Sequence, residues 1–407
     1  MIALQAGVVG RLIPWTHWLA VAVAISLPWS TSATAILVVL WLIVLLPTLS
    51  PDMVRREVLT AAGGLPVALW LLAALGMLWA DVFWSVRFSG LNGYLRLLAI
   101  PLLLAQYHRS GRGLDVCYAF LASSTCLLAA SWLLAFLPSW APGRPPGVPV
   151  KDYVLQSDIF LICAFGLVRA AGEKLRERRY GLLVLMLGLA ALFLANIVFV
   201  VTSRTVLFIA PFLVIALGFS LFGIRGVIGA VAIAAVLAAS AWMASSTLRY
   251  RIQVSFEELY SYKQSDEVSA TGLHLAFLQN SLRIVERAPV IGHGTGSIAE
   301  QFQIETSRQN GAAENFPTVN PHNQVFAVAI QLGGIGALIL FAMWGAHLML
   351  FRGNGLIDWL GLLIVLQNIG SCMFNSHLFD FSQGWLYVFG VGVTGGTVLQ
   401  RTGKTDS

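Results

Sequence analysis

The chain has 407 residues, 57% of them hydrophobic and only 11% charged, with a mean hydropathy of +0.78, whereas a soluble domain carries about 25% charged residues. This excludes an ordinary soluble enzyme and describes an all-α, polytopic integral membrane protein, because a hydrocarbon core about 30 Å thick takes roughly 20 helical residues per crossing. The net charge of +6 names no anionic partner by itself, since cytoplasmic loops of membrane proteins are rich in Lys and Arg for topological reasons, and no nucleic-acid partner is expected.

Hydropathy predicts about twelve spans. In chain order they lie near residues 12–30, 33–49, 59–80, 91–106, 114–137, 158–171, 181–201, 204–222, 226–245, 323–351, 355–374 and 380–400. A cleaved signal peptide is the alternative for the first, with Arg11 ahead of it and Ala33 and Ala35 behind, but a second apolar run follows at once and pairs with it as a hairpin. The sixth span, from Asp158 to about Ala171, is short for a full crossing. Cys117, Cys126, Cys163 and Cys372 stand in apolar runs without CxxC spacing, so neither a disulfide framework nor a zinc site is expected.

With the N-terminus inside, the inner loops collect Arg55 and Arg56, Arg109 and Arg112, and the run Arg169, Lys174, Arg176, Arg178 and Arg179. Arg225, Arg352, Arg401 and Lys404 join them, so that with Arg11 these loops hold more than half of the 25 Lys and Arg. The positive-inside rule therefore puts both termini in the cytoplasm. The expected organisation is residues 1–245 as spans one to nine, 246–321 as a periplasmic segment, 322–400 as the last three spans and 401–407 as a cytoplasmic tail. A short loop from Asp81 to Gly90 and a proline-rich loop from Pro138 to Gln156 also fall outside, the latter as a stiff extended cover or a plain connector. The long segment is locally acidic, and Leu273–Pro289 within it has the spacing of an amphipathic helix ended by Pro289.

Residues that topology does not explain are the candidates for chemistry. Arg204, in VTSRT, stands at the outer junction of two apolar helices, as an interfacial anchor or as a bidentate clamp for phosphate. His322, in NPHNQVFAVAIQLGGIG, opens a helix at the same surface, where a neutral imidazole either accepts a proton or is satisfied by water. Asn320 is a candidate cap, and Gly333, Gly334 and Gly336 are expected to permit close helix packing. Arg283 and Arg287 share a helical face ahead of Gly292, Gly294 and Gly296, glycines that read as an anion cradle or as a helix-ending turn. Arg87, Arg96, and His377 with Asp380 are lesser candidates, while His274 and His293 lack ligand spacing. No acidic motif suggests a bound metal, and no cofactor is expected.

Four of these pieces, WSVRFS, SRT at 203–205, VERAPVIGHGTG and PHNQVFAVAIQLGGIG, make the chain resemble the O-antigen ligase and polymerase superfamily of membrane glycosyltransferases, from about residue 80 onward. The last piece fits the family's His, then Asn, Ser or Gln, nine residues and Gly-x-x-Gly, at His322, Asn323, Gly333 and Gly336. The resemblance implies an inverting, metal-free transfer of glycan from undecaprenyl diphosphate in the bacterial inner membrane. In a ligase the acceptor is the lipid A core and the product is lipopolysaccharide. It also implies that Arg204 neutralises the leaving diphosphate and His322 deprotonates the acceptor, with Arg283, Arg287, Arg87, Asn323 and His377 as candidate contacts to diphosphate or glycan. One departure is that many relatives carry an arginine near the start of the loop helix, where this chain reads ATGLHLAF. An O-antigen polymerase or related oligosaccharyltransferase uses the same donor. A lipid-linked glycan transporter is the alternative of another class, although it would show inverted repeats and a central path of charge.

Overall fold

Each predicted span falls on a helix, the local structure that satisfies every backbone group where no water is available. The computed structural model describes residues 2–201, 203–265, 269–308 and 315–405, and every regular element among them is helical. α1 (Ile2–Ser26) and α2 (Thr31–Leu45) form the expected hairpin, with the Ser30 side chain capping α2. α3 (Pro51–Val58) meets α4 (Ala61–Gly76) at an 88° bend, where Thr60 caps α4. α5 (Trp84–Leu95) and α6 (Ala99–Ser110) continue one another through a tight turn at Arg96–Leu98. α7 (Gly113–Phe136), α8 (Tyr153–Arg176) and α9 (Tyr180–Phe199) follow. α8 has 24 residues because Asp152 caps it ahead of the apolar run, so the sixth span is not short.

α10 (Arg204–Ala244) holds two of the predicted spans in a run of 41 residues, broken at Phe222 and at Gly223, whose φ is 60°. After α11 (Ser246–Ser265), α12 (Ala270–Arg287) and α13 (Ile298–Thr306), the chain returns to long helices in α14 (Gln324–Leu350), α15 (Leu356–Ser371) and α16 (Phe381–Thr405). Seven of the described helices are long and apolar enough to cross a membrane, or eight if the bent α3–α4 pair is one crossing. That number is smaller than the predicted one partly because α10 is counted once and α15 has only 16 residues. Val184, Leu185, Phe219, Ile233 and Val236 are exposed on the exterior, while α8 is packed on most sides. An exterior this apolar suits lipid as solvent.

One end of the bundle gathers the parts that matter for function. Lys151, just before α8, donates to the carbonyl of Leu27 after α1 at 2.6 Å and to Ser382 of α16 at 2.9 Å. The amide of Gln324 at the start of α14 donates to the carbonyl of Cys372 after α15 at 2.8 Å. The proline-rich loop ends here too, not as an extended cover but as a 3-10 turn at Pro138–Trp140 and further turns, with the Gly147 carbonyl accepting from Ser131 and Gln156.

The glycine loop after α12 is a wedge rather than an anion cradle. α14 breaks at Gly333, where φ is 64°, and the loop fills the break. His293 and Gly294 donate to the carbonyls of Ile330 and Gln331, both at 2.8 Å, and Gly334 donates back to Pro289 at 2.8 Å. The Gly296 amide goes to the Gln331 side chain and the Thr295 amide to the Gly76 carbonyl, so these amides are spent on α14 and α4. Gly333, expected to ease helix packing, is thus the point where helix gives way to loop, and the Cβ of any other residue would collide with the Val290 backbone. At Gly336 an added Cβ would meet Val328 and Leu332 of α14 itself. Gly333→Ala is expected to lower thermal stability by more than about 1 kcal/mol, from the left-handed backbone and the lost docking together, and a thermal melt in detergent reads it.

Candidate functional site

α12 is the platform of the site. Residues three apart on a helix share a face, and Thr271, His274 and Phe277 form such a row. At its start, the Thr271 hydroxyl accepts from Arg204 Nη1 at 3.1 Å and donates to Glu258 Oε2 at 2.6 Å. Further along, the His274 ring meets His322 edge-on, with centroids 4.9 Å apart, and Phe277 stacks on His322 at 5.5 Å and 12°. The helix is held by Phe277, Ile284, Phe302 and Ile330, a small buried cluster where α12, α13 and α14 meet. Arg204 of α10 and His322 ahead of α14, 118 positions apart in the sequence, therefore face the same short row of side chains.

Arg204 is not a bare anchor. Its fork grips Glu258 of α11, with Nη1 to Oε2 at 2.9 Å and Nη2 to Oε1 at 3.4 Å. Partial desolvation acts to raise the Glu258 pKa, but the hydrogen bonds from Arg204 and Thr271 outweigh it and hold the carboxyl below its ordinary value. The clamp is accordingly whole at neutral pH and opens as pH falls through that depressed value. A planar fork already holding two carboxylate oxygens has the geometry to hold two phosphate oxygens.

His322 takes a left-handed backbone, with φ at 53°, a conformation that costs a non-glycine residue energy and that persists only where its surroundings impose it. They do so through Asn320, whose side chain accepts from the His322 amide at 2.9 Å and is fixed by Asn375 at 2.7 Å and Ser376 at 2.8 Å. The expected cap of α14 is displaced by three residues. Asn323 caps the helix, accepting from Val325 and Phe326, and Asn320 braces the histidine instead. Partial burial pushes the His322 pKa below the ordinary histidine value, against the pull of the Asp380 charge and an Asn375 hydrogen bond, which leaves the ring neutral at pH 7. His274 is likewise held low, by partial burial first and then by His322 and Arg204.

The other sequence candidates are placed differently. Arg87 donates to the carbonyls of Val82 at 2.8 Å and Met77 at 2.7 Å and lies over Trp84, so it ties the turn before α5. Arg283 bonds Asn280 at 3.1 Å, and Arg287 pairs with Glu305 of α13 at 2.6 Å. They lie nine and thirteen residues past His274 along α12, roughly 14 and 20 Å at 1.5 Å per residue, so the structure does not bring them to the row. Asn323 is 4% exposed and occupied by capping and by the Met373 carbonyl. Arg96 finds its partners in the carbonyls of Phe379, Asp380 and Phe381 and so fixes the turn into α16. His377 and Asp380 lie behind His322, joined at 3.0 Å. Sequence reasoning missed Glu258 and Thr271, and set His274 aside. The three-residue spacing on α12 was visible, but its partners on α10 and α14 were not.

Residues 159–341 match the family model described as O-Antigen ligase. The matched stretch holds Arg204, Glu258, the α12 row, His322 and the break in α14, and ends ahead of His377 and Asp380. No curated protein matches the chain. Residues 159–341, with the clamped arginine and the braced histidine, thus make up a stretch similar to the O-antigen ligase family.

Proposed function

We propose that this protein is an inverting, metal-independent glycosyltransferase that moves O-antigen glycan from undecaprenyl diphosphate to the lipid A core, completing lipopolysaccharide. The observation that carries the reading is the convergence of Arg204 and His322 on the Thr271–His274–Phe277 row. Superfamily members are ligases and polymerases, glycosyltransferase-like enzymes acting on lipid-linked glycans. In the proposed step the acceptor hydroxyl attacks the anomeric carbon, its proton passes to His322, and the bond to the diphosphate oxygen breaks with its electron pair leaving on undecaprenyl diphosphate. Arg204 binds the diphosphate and gains strength as that charge develops, and the bilayer holds both lipid-borne substrates in one plane. We place the protein in the inner membrane with about twelve crossings, both termini cytoplasmic and the site on the periplasmic face. The division into residues 1–245, 246–321, 322–400 and 401–407 belongs to the same reading.

Diphosphate must displace Glu258 from Arg204. Glu258→Gln is expected to lower the KM for donor several-fold, the loosening of a pair worth about 1 kcal/mol, with kcat little changed; titration of donor in proteoliposomes reads the split. The acceptor is tested by supplying undecaprenyl-diphosphate-linked glycan with and without lipid A core and sizing the products. A single glycan step that requires core is the expected outcome, and a ladder on the lipid carrier without core would make the protein a polymerase.

A further inference from the structure

A cavity of about 550 Å³ opens between the start of α5 and α13, and the proposed transfer step leaves it unused. Asp81, Phe83 and Val86 form one wall, and Gly296, Glu300 and Gln303 the other. Both walls are braced. Arg87 donates to the Val82 and Met77 carbonyls and so fixes the turn that carries Asp81 and Phe83. Gly296 lies so close to Val86 that an added Cβ would collide with its carbonyl, and its φ of 92° favours glycine. Glu300 and Gln303, three apart, share one face of α13. Phe302, on another flank of that helix, is buried and meets Phe277 edge-on at 6.1 Å, and Phe277 is the ring that stacks on His322. One short helix therefore joins the cavity to the row that holds His322.

The chemistry of the walls names a class of ligand. Phe83 is 84% exposed and offers a ring to the apolar C–H side of a sugar, whose hydrogens carry the partial positive charge that an aromatic face attracts. The carboxylates of Asp81 and Glu300 accept from hydroxyl groups, and the Gln303 amide both donates and accepts. Glu300 Oε2 is shielded from water and has no hydrogen-bond partner among the described residues, a cost that a hydroxyl offered to this carboxylate removes. Two like charges at the walls turn away phosphate and carboxylate groups, because the neighbouring Arg87 is spent on backbone carbonyls. We propose that this cavity is a binding subsite for a sugar unit free of phosphate and carboxylate, held by Asp81, Phe83, Glu300 and Gln303. That a sugar binds here is independent of the reaction, whereas its belonging to the donor or the acceptor glycan rests on the proposed transfer.

Saturation-transfer NMR on the full-length protein in lipid nanodiscs, with a metal chelator present, tests the binding. Two probes are released from the lipopolysaccharide of the bacterium that makes the protein, the O-polysaccharide and the core oligosaccharide stripped of phosphate. One of them is expected to bind the unaltered protein and His322→Ala alike, and to bind Glu300→Gln and Phe83→Ala about tenfold more weakly, the effect of losing one hydrogen bond to a charged group or one ring contact. Asp81→Asn gives a similar loss from the opposite wall, and thermal melts read the fold of each variant. Binding of the O-polysaccharide makes the subsite the donor's, and binding of the core makes it the acceptor's. In transfer assays the same substitutions then raise KM for that substrate and not for the other. Failure of both probes to bind, binding that ignores all three substitutions, or binding that vanishes with the chelator overturns the subsite. Binding as expected in a protein that leaves the donor's glycosidic bond intact overturns the transferase reading and leaves the subsite standing.

Discussion

His322→Ala is expected to abolish glycan transfer, with kcat down by about 10²- to 10⁴-fold, the range a positioned general base supplies, while the protein still inserts and stays monodisperse. Alanine removes the ring's bond to Asn375 and its stacking on Phe277, but the backbone amide that Asn320 holds is kept, so the turn into α14 stays braced. What the ring provides is a neutral acceptor on the α12 row, kept neutral by partial burial. The sign of the pH dependence follows. A pKa below 6.5 leaves His322 competent at neutral pH and above, and activity falls as pH drops through that lowered value. His322→Gln should fail as completely as His322→Ala, since an amide matches the bulk and hydrogen bonding but cannot take the proton. Either variant within a few-fold of the unaltered kcat, measured on proteoliposomes at saturating donor, would remove His322 from the mechanism.

Arg204→Lys is expected to fail nearly as badly as Arg204→Ala, by about 10²- to 10³-fold, the loss seen when one donor to a developing oxyanion is removed. Charge alone is not what the position supplies. Two guanidinium nitrogens reach two carboxylate oxygens of Glu258 here, and the same fork spans two oxygens of a phosphate, whereas an ammonium reaches one at a time. Thr271 keeps its own bonds to Glu258, from its hydroxyl at 2.6 Å and its amide at 3.2 Å, so the exchange acts on the grip on the donor and on the charge at the leaving oxygen rather than on the first turn of α12. Donor binding and single-turnover rate separate the two effects. A lysine variant that keeps the single-turnover rate and loses only affinity would reduce Arg204 to an anchor for the substrate.

Arg204 and His322 were legible in the sequence because neither hydropathy nor sidedness accounts for a cation or an imidazole at the start of an apolar helix. The partners of Arg204 were not legible, since Glu258 lies 54 residues and one helix away and only tertiary packing returns it. The glycines mislead for a physical reason. GlyGlyIleGly inside an apolar run has the pattern of a packing face, and nothing local says that residues 289–296 will dock into a break at Gly333. In the eighth and ninth predicted spans hydropathy finds the interruption, and φ/ψ at Phe222 and Gly223 shows it as a break between two helices. Asp158 looked like the edge of a short span because a carboxylate usually marks a boundary. It is instead interior to α8 and fully buried, because the helix starts at its Asp152 cap.

The most direct test of the whole account is the fate of the donor's glycosidic bond. Undecaprenyl-diphosphate-linked glycan, labelled at the anomeric carbon, would be given to the purified protein in proteoliposomes containing lipid A core and a metal chelator. The account predicts release of undecaprenyl diphosphate and a new linkage to core of opposite anomeric configuration, both absent with His322→Ala. Donor that crosses the bilayer with its bond intact, or transfer that stops when metal is chelated, would contradict it.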